Sequence, residues 1–160
     1  MSEKDQKLKA VIRKYILDIG GLLKEEIDEP QLEFGFRFIY PNQNGRILIV
    51  LKAKKTDFIE ISCPSNLPDQ YINALKSLEE RDKSHFAKRL QKEILFNKSV
   101  DFMYDFSVKF TVVVMDRIYI EQDNISKNEF FRIVRNIFST ANLIVFFVED
   151  FFSENLRPTE

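Results

Sequence analysis

A chain of 160 residues with 24 Lys plus Arg against 25 Asp plus Glu is almost neutral, at a formal charge of −1. That balance excludes the broad basic footprint of a dedicated nucleic-acid binder. With 44% apolar residues, 16 Phe and no Trp, the chain can bury the core of a single domain over 1–160 without a metal or disulfide staple.

Cys63, the one cysteine, can form no intrachain disulfide, and nothing in cysteine usage points to an oxidising compartment. The start, Met1 to Lys7, is charged and lacks an apolar signal core. The longest uninterrupted apolar run, Leu143 to Val148, is far short of the roughly 20 residues of a membrane-spanning helix. The expectation is a soluble cytoplasmic protein with no membrane partner.

Leu8, Val11, Ile12, Tyr15, Ile16 and Ile19 recur three and four apart, which predicts a helix over about 4–19 ending at Gly20-Gly21. Leu22 to Glu29 is acidic at its far end and reads as a connection. Phe34, Phe36, Phe38 and Tyr40 alternate with Gly35, Arg37 and Ile39, a strand over about 33–40 with one aromatic face. A Pro-Asn-Gln-Asn-Gly turn separates it from a strand over about 46–52 that is apolar on both faces, and a third follows over about 58–63. Short turns between them predict an antiparallel meander.

Helices are expected over about 68–80 and 84–97, with a break near Asp82 inside the polar window Glu79 to His85. Period two returns in strands over about 100–107 and 110–121, with the hairpin turn at Ser107-Val108-Lys109 preferred to Asp116-Arg117. Ser126 and Glu129 form a capping box for a final helix over about 127–152. The fold class is thus α+β, an antiparallel sheet of about five strands in the order α-β-β-β-α(α)-β-β-α.

Strand 46–52 and Thr111 to Met115 are apolar on both faces, and the last helix is apolar over a wide arc. Three or so helices leave part of that surface uncovered, which predicts a homodimer through the sheet face or the last helix.

Reagents are sparse. With four glycines there is no nucleotide-cradling GxGxxG or GxxxxGK[ST] pattern. His85, the one histidine, lies among charged residues and reads as a solvated surface group. Cys63 ends an apolar strand and reads as a small buried hydrophobe. Asp116, Glu121 and Asp123 cluster but lack the spacing of a calcium loop, so Asp123 and Asn124 read as turn residues. We therefore expect no catalytic residue, no cofactor and no bound metal, hence not an enzyme.

The order of elements, with its ending Arg117 to Ser126 of strand into capped helix, resembles the class I type III secretion chaperone-like fold. It is also similar to uncharacterised prokaryotic, notably archaeal, domain families with that layout. The resemblance implies a non-enzymatic dimer that offers apolar grooves to a polypeptide partner, laid over sheet or helix or added to an edge strand. Candidate partner-binding residues are Phe58, Glu60 and Ser62, on the strand expected at the sheet edge, and Phe147, Phe151 and Phe152 near the end of the last helix. The alternative is a nucleic-acid or small-ligand binder using Phe34, Phe36 and Phe38 as a stacking face.

Overall fold

The computed structural model of the chain describes residues 1–95, 100–105 and 111–155. Its elements run α1 (Glu3–Asp18), β1 (Leu22–Ile27), β2 (Leu32–Tyr40), β3 (Arg46–Ala53), β4 (Phe58–Asn66), α2 (Asp69–Ser77) and α3 (Glu80–Leu90). A short π-helical segment (Gln91–Leu95), β5 (Asp101–Asp105), β6 (Thr111–Tyr119) and α4 (Lys127–Asn155) complete them. The α+β class holds. The sheet is antiparallel with six strands in the spatial order β1-β2-β3-β4-β6-β5.

The sixth strand is β1, in the segment expected to be a connection. Its pairing with β2 shifts register between Leu23 and Glu25. A bulge of this kind puts one extra residue into the strand and destroys the period-two signal that marks a strand in sequence. The helix break falls at Leu78, whose ψ of 147° is extended, rather than near Asp82. The polar window is helical from Glu80, with Glu80 and Asp82 in its first turn and Lys88 and Arg89 in its last, the charge order a helix dipole favours. Asp116-Arg117 lies inside β6, and Ser107-Val108-Lys109 lies outside the described residues.

The chain divides into two compact units, Met1–Cys63 with Met115–Phe138, and Pro64–Val114 with Ser139–Glu160. In the first unit, α1 ends in a two-bond Schellman cap. The Gly20 amide donates to the Leu17 carbonyl at 3.0 Å and the Gly21 amide to the Ile16 carbonyl at 2.9 Å, with Gly20 at φ +84°. That cap turns the chain back so that Leu8, Ile12 and Ile16 of α1 join Phe34, Phe36, Phe38, Leu48, Val50, Ile59 and Ile61 in a core closed to solvent. Burying each such side chain contributes about 1.5–3 kcal/mol before chain entropy is counted.

Ahead of α4, Glu121 and Asn124 exchange backbone hydrogen bonds at 3.0 and 2.9 Å across Gln122 and Asp123, whose φ values are 48° and 68°. Two positive φ values make this the tight turn expected of hairpins. The Ser126 hydroxyl then accepts from the Glu129 amide at 3.4 Å, the forward half of the capping box.

In the second unit the core centres on Phe86 of α3. Its ring lies 5.5, 5.0 and 6.4 Å from the rings of Phe147, Phe151 and Phe152, and Tyr71 of α2 stacks on Phe152 at 5.8 Å. Among the described residues one helical stretch, Lys127–Ser153 of α4, is long and apolar enough to cross a membrane by length and composition. Counting uninterrupted apolar runs missed it, because polar residues interleave the stretch. Much of that apolarity is used internally: Phe130, Val134 and Ile137 are buried in the first unit, and Ile144, Phe147, Val148, Phe151 and Phe152 in the second.

Candidate functional site

Side chains alternate across a strand, so the residues between the buried positions of β2, β3 and β4 share the other face of the first unit's sheet. The register aligns Arg37 with Ile49 and Ile49 with Ser62, and in the next row Gly35 with Leu51 and Leu51 with Glu60. Ile39 and Ile47 pair beside them. A wet antiparallel face is ordinarily polar. This one carries Ile39, Ile47, Ile49, Leu51 and Phe58, and β6 adds Tyr119. Ile47 and Tyr119 are 47% and 60% exposed, while Ile39, Ile49, Leu51 and Phe58 are half-buried.

Gly35 allows Leu51 and, from β1, Ile27 to close over the sheet: a Cβ there would lie 2.9 Å from both Ile27 Cβ and Leu51 Cδ2. Charges flank the apolar strip on both sides. On one side, Arg37 Nη1 donates to Glu25 Oε2 at 2.6 Å. On the other, Arg117 Nε lies 3.4 Å from Glu60 Oε2 and its guanidinium 4.8 Å from the centre of the Phe58 ring. Tyr119 meets the same ring at 5.9 Å. Large contiguous apolar surface rimmed by polar groups marks a place where another molecule binds.

Of the sequence-predicted partner residues, Phe58, Glu60 and Ser62 stand on this face. Phe147, Phe151 and Phe152 do not: they are 7%, 4% and 4% exposed, packed on Phe86. Nor is β4 an edge, since β3 and β6 flank it, so its backbone cannot take an added strand. Phe34, Phe36 and Phe38 are 3%, 0% and 0% exposed and present no ring to a base. What the sequence missed is the outer set Arg37, Ile47, Arg117 and Tyr119. The available signal was β3, apolar on both faces.

A second feature is a groove of about 560 Å³ along the solvent side of α1, lined by residues including Lys9, Ala10, Arg13, Leu17 and Glu26. Its acids are engaged. Lys9 Nζ donates to Glu26 Oε2 at 2.7 Å and holds that carboxyl below the ordinary glutamate value. Lys127 Nζ does the same for Asp18 at 2.6 Å.

Among the described residues no group of three or more His, Cys, Asp or Glu side chains could hold a metal ion. Asp123 pairs with Lys4, and the Asp116 carboxylate accepts from the Arg117 amide at 2.8 Å. Cys63 is fully buried, and His85 is exposed.

A family model described as "Uncharacterized conserved protein (DUF2299)" matches residues 8–148. The chain belongs to the DUF2299 family. The match begins in α1 and ends within α4, so this family's shared sequence includes every strand of the open face. A solved structure, titled "Crystal structure of an uncharacterized protein from Methanothermobacter thermautotrophicus", is similar at a TM-score of 0.76 and 21% identity. The likeness covers 90% of this chain and 98% of that one, so the fold is shared. An uncharacterised conserved family, and a fold shared with an uncharacterised archaeal protein, are therefore what the comparisons support. No curated protein matches the chain.

Proposed function

We propose that this DUF2299 protein is a non-enzymatic, cofactor-free, cytoplasmic polypeptide-binding module. It is chaperone-like in the manner that class I type III secretion chaperones suggest: it works by covering apolar surface with another chain. The observation that carries the reading is the open face of the first unit, where Ile39, Ile47, Ile49, Leu51 and Phe58 remain partly wet. Completing the burial of such side chains contributes about 25 cal/mol for each Å² removed from water, and that gain is available to any chain of matching shape.

In-cell photocrosslinking tests this. With benzoylphenylalanine in place of Ile47, light should yield a discrete adduct with a polypeptide. The added substitution Ile49→Glu, which puts a charge into the centre of the strip, should abolish it. Irradiated protein that stays unattached would refute the reading.

A further inference from the structure

The first unit's part of the sheet ends at β1, whose ladder partner is β2 on one side alone. Every second amide and carbonyl of an outermost strand faces away from its sheet, a row able to pair with another chain. α1 lies beside that edge, because the Gly20-Gly21 cap reverses the chain between them and Lys9 bonds to Glu26. Glu26 is opposite the buried Phe36 in the ladder, so it points to the α1 side of the sheet. The groove along α1 opens there.

That groove does not stop at Glu26. A second hollow of about 410 Å³ shares Met1, Lys9 and Glu26 with it and continues past Ile27, Pro30 and Leu32. Together they make one channel from the last turn of α1 to the turn between β1 and β2. The six residues of β1 span about 20 Å at the ordinary strand rise. An extended peptide of about six residues has that length.

The two ends of the channel carry opposite charge. At one end Arg13 and Lys14 stand beside Ala10 and Leu17, and neither cation makes a hydrogen bond or ion pair among the described residues. The acids on which they act, Glu26 and Asp18, are already held by Lys9 and Lys127. At the other end Asp28, Glu29 and Glu33 share one cation, Lys54. Leu17, at 57% exposed, leaves apolar surface wet within the channel.

We infer that the channel takes an extended peptide, acidic at one end, basic at the other and apolar between, which joins β1 as an added strand. Alternate side chains of that strand point to the α1 side, where its acids reach Arg13 and Lys14 and its bases reach Asp28 and Glu33. Backbone bonds supply the affinity of such an addition and the side-chain subsites its selectivity. The register shift after Leu23 and the charges of Lys24, Glu25 and Glu26 guard this edge against indiscriminate pairing. A chain lacking the matching charges therefore gains little there, and nucleic acid would meet three acids. The site is on the opposite side of the sheet from Ile47 and does not depend on the open face.

Fluorescence anisotropy of labelled peptides with the full chain at low salt tests this. The probes are Lys-Lys-Val-Thr-Val-Asp-Asp and its reverse, one for each strand direction, with the all-acidic and all-basic analogues as controls. At least one mixed probe should bind roughly tenfold tighter than either control. Arg13→Glu with Lys14→Glu, both on the solvent side of α1, should weaken that probe roughly tenfold and transfer the preference to the all-basic analogue. Amide exchange in β1 should slow when the mixed probe is bound to the wild type.

Mixed probes that bind no better than the controls overturn the inference. So does a double variant with the wild-type order of preference, or a bound probe that leaves β1 exchange unchanged. Ile49→Glu separates the two surfaces and should leave probe binding intact. If it removes binding where the α1 variant does not, the peptide lies on the open face and the channel is excluded. Probe binding that follows Arg13 and Lys14, with no Ile47 crosslink in cells, removes the open-face reading and upholds the channel.

Discussion

The Tyr15 hydroxyl, on the last turn of α1, donates to the Ile125 carbonyl at 3.2 Å, 110 residues further along the chain. Its ring lies 5.8 and 6.5 Å from the rings of Phe130 and Phe131. One side chain thus ties the first helix to the loop that launches the last. The ring supplies packing, and the hydroxyl satisfies a carbonyl that belongs to no helix or strand.

Tyr15→Phe separates these two contributions. It keeps the ring and removes one hydrogen bond, so it should lower stability by about 1 kcal/mol. Urea unfolding should show a lower midpoint at unchanged slope. An unchanged midpoint would mean that water replaces the bond without cost.

Gly20 and Gly21 should differ in how strongly they resist alanine. Gly20 sits at φ +84° with only the Pro41 carbonyl near its missing Cβ, at 3.4 Å, so Gly20→Ala carries a backbone cost of about 1 kcal/mol. At Gly21 a Cβ would lie 2.7 Å from the Ile16 carbonyl oxygen and 2.9 Å from the Phe38 ring. Overpacking of that kind costs about 1–3 kcal/mol. Thermal melting should rank Gly21→Ala below Gly20→Ala, and the reverse order would contradict the close approach of α1 to β2.

Lys52 points to the core side of β3 and is 5% exposed, yet its ammonium donates to the carbonyls of Thr56 at 2.6 Å and Ala53 at 3.2 Å. It acts as an internal clasp for the turn between β3 and β4, where Lys55 has φ +63°. Lys52→Met keeps the stem and removes the donors, leaving those carbonyls short of a charged partner. A loss of about 1.5–3 kcal/mol is expected, with faster amide exchange at Thr56. Exchange at the wild-type rate would show that the turn holds without the clasp.

Acid should weaken the first unit through Asp18 and Glu26. Both carboxyls lie below their ordinary values because Lys127 and Lys9 donate hydrogen bonds to them. A carboxyl depressed in the folded state contributes stability that is complete above its unfolded pKa and is lost as pH falls through the folded one. The window is therefore below about pH 4. Asp18→Asn should be less stable than the wild type at neutral pH and converge with it in acid. A constant gap across that range would show that the Lys127 bond does not depend on charge.

Features with a local cause could be read from the sequence. The glycine pair ends α1 through two backbone bonds, and Ser126 caps α4, both as short-range chemistry dictates. β1 could not be read, because its bulge erased the alternation. The edge assignment of β4 failed for a different reason. That β6 lies between β4 and β5 is a long-range fact that no periodicity encodes. Phe147, Phe151 and Phe152 were misplaced because α4 is apolar around much of its circumference, and only the position of Phe86 tells which rings are interior.

The division into two units runs through Cys63/Pro64, Val114/Met115 and Phe138/Ser139, and those points fall inside β4, β6 and α4. Neither unit is a single contiguous stretch of the chain. A protease or a truncation aimed between them finds hydrogen-bonded strand or helix instead of a linker, and severing any one of the three junctions damages both units at once. Such a chain cannot be shortened by halves.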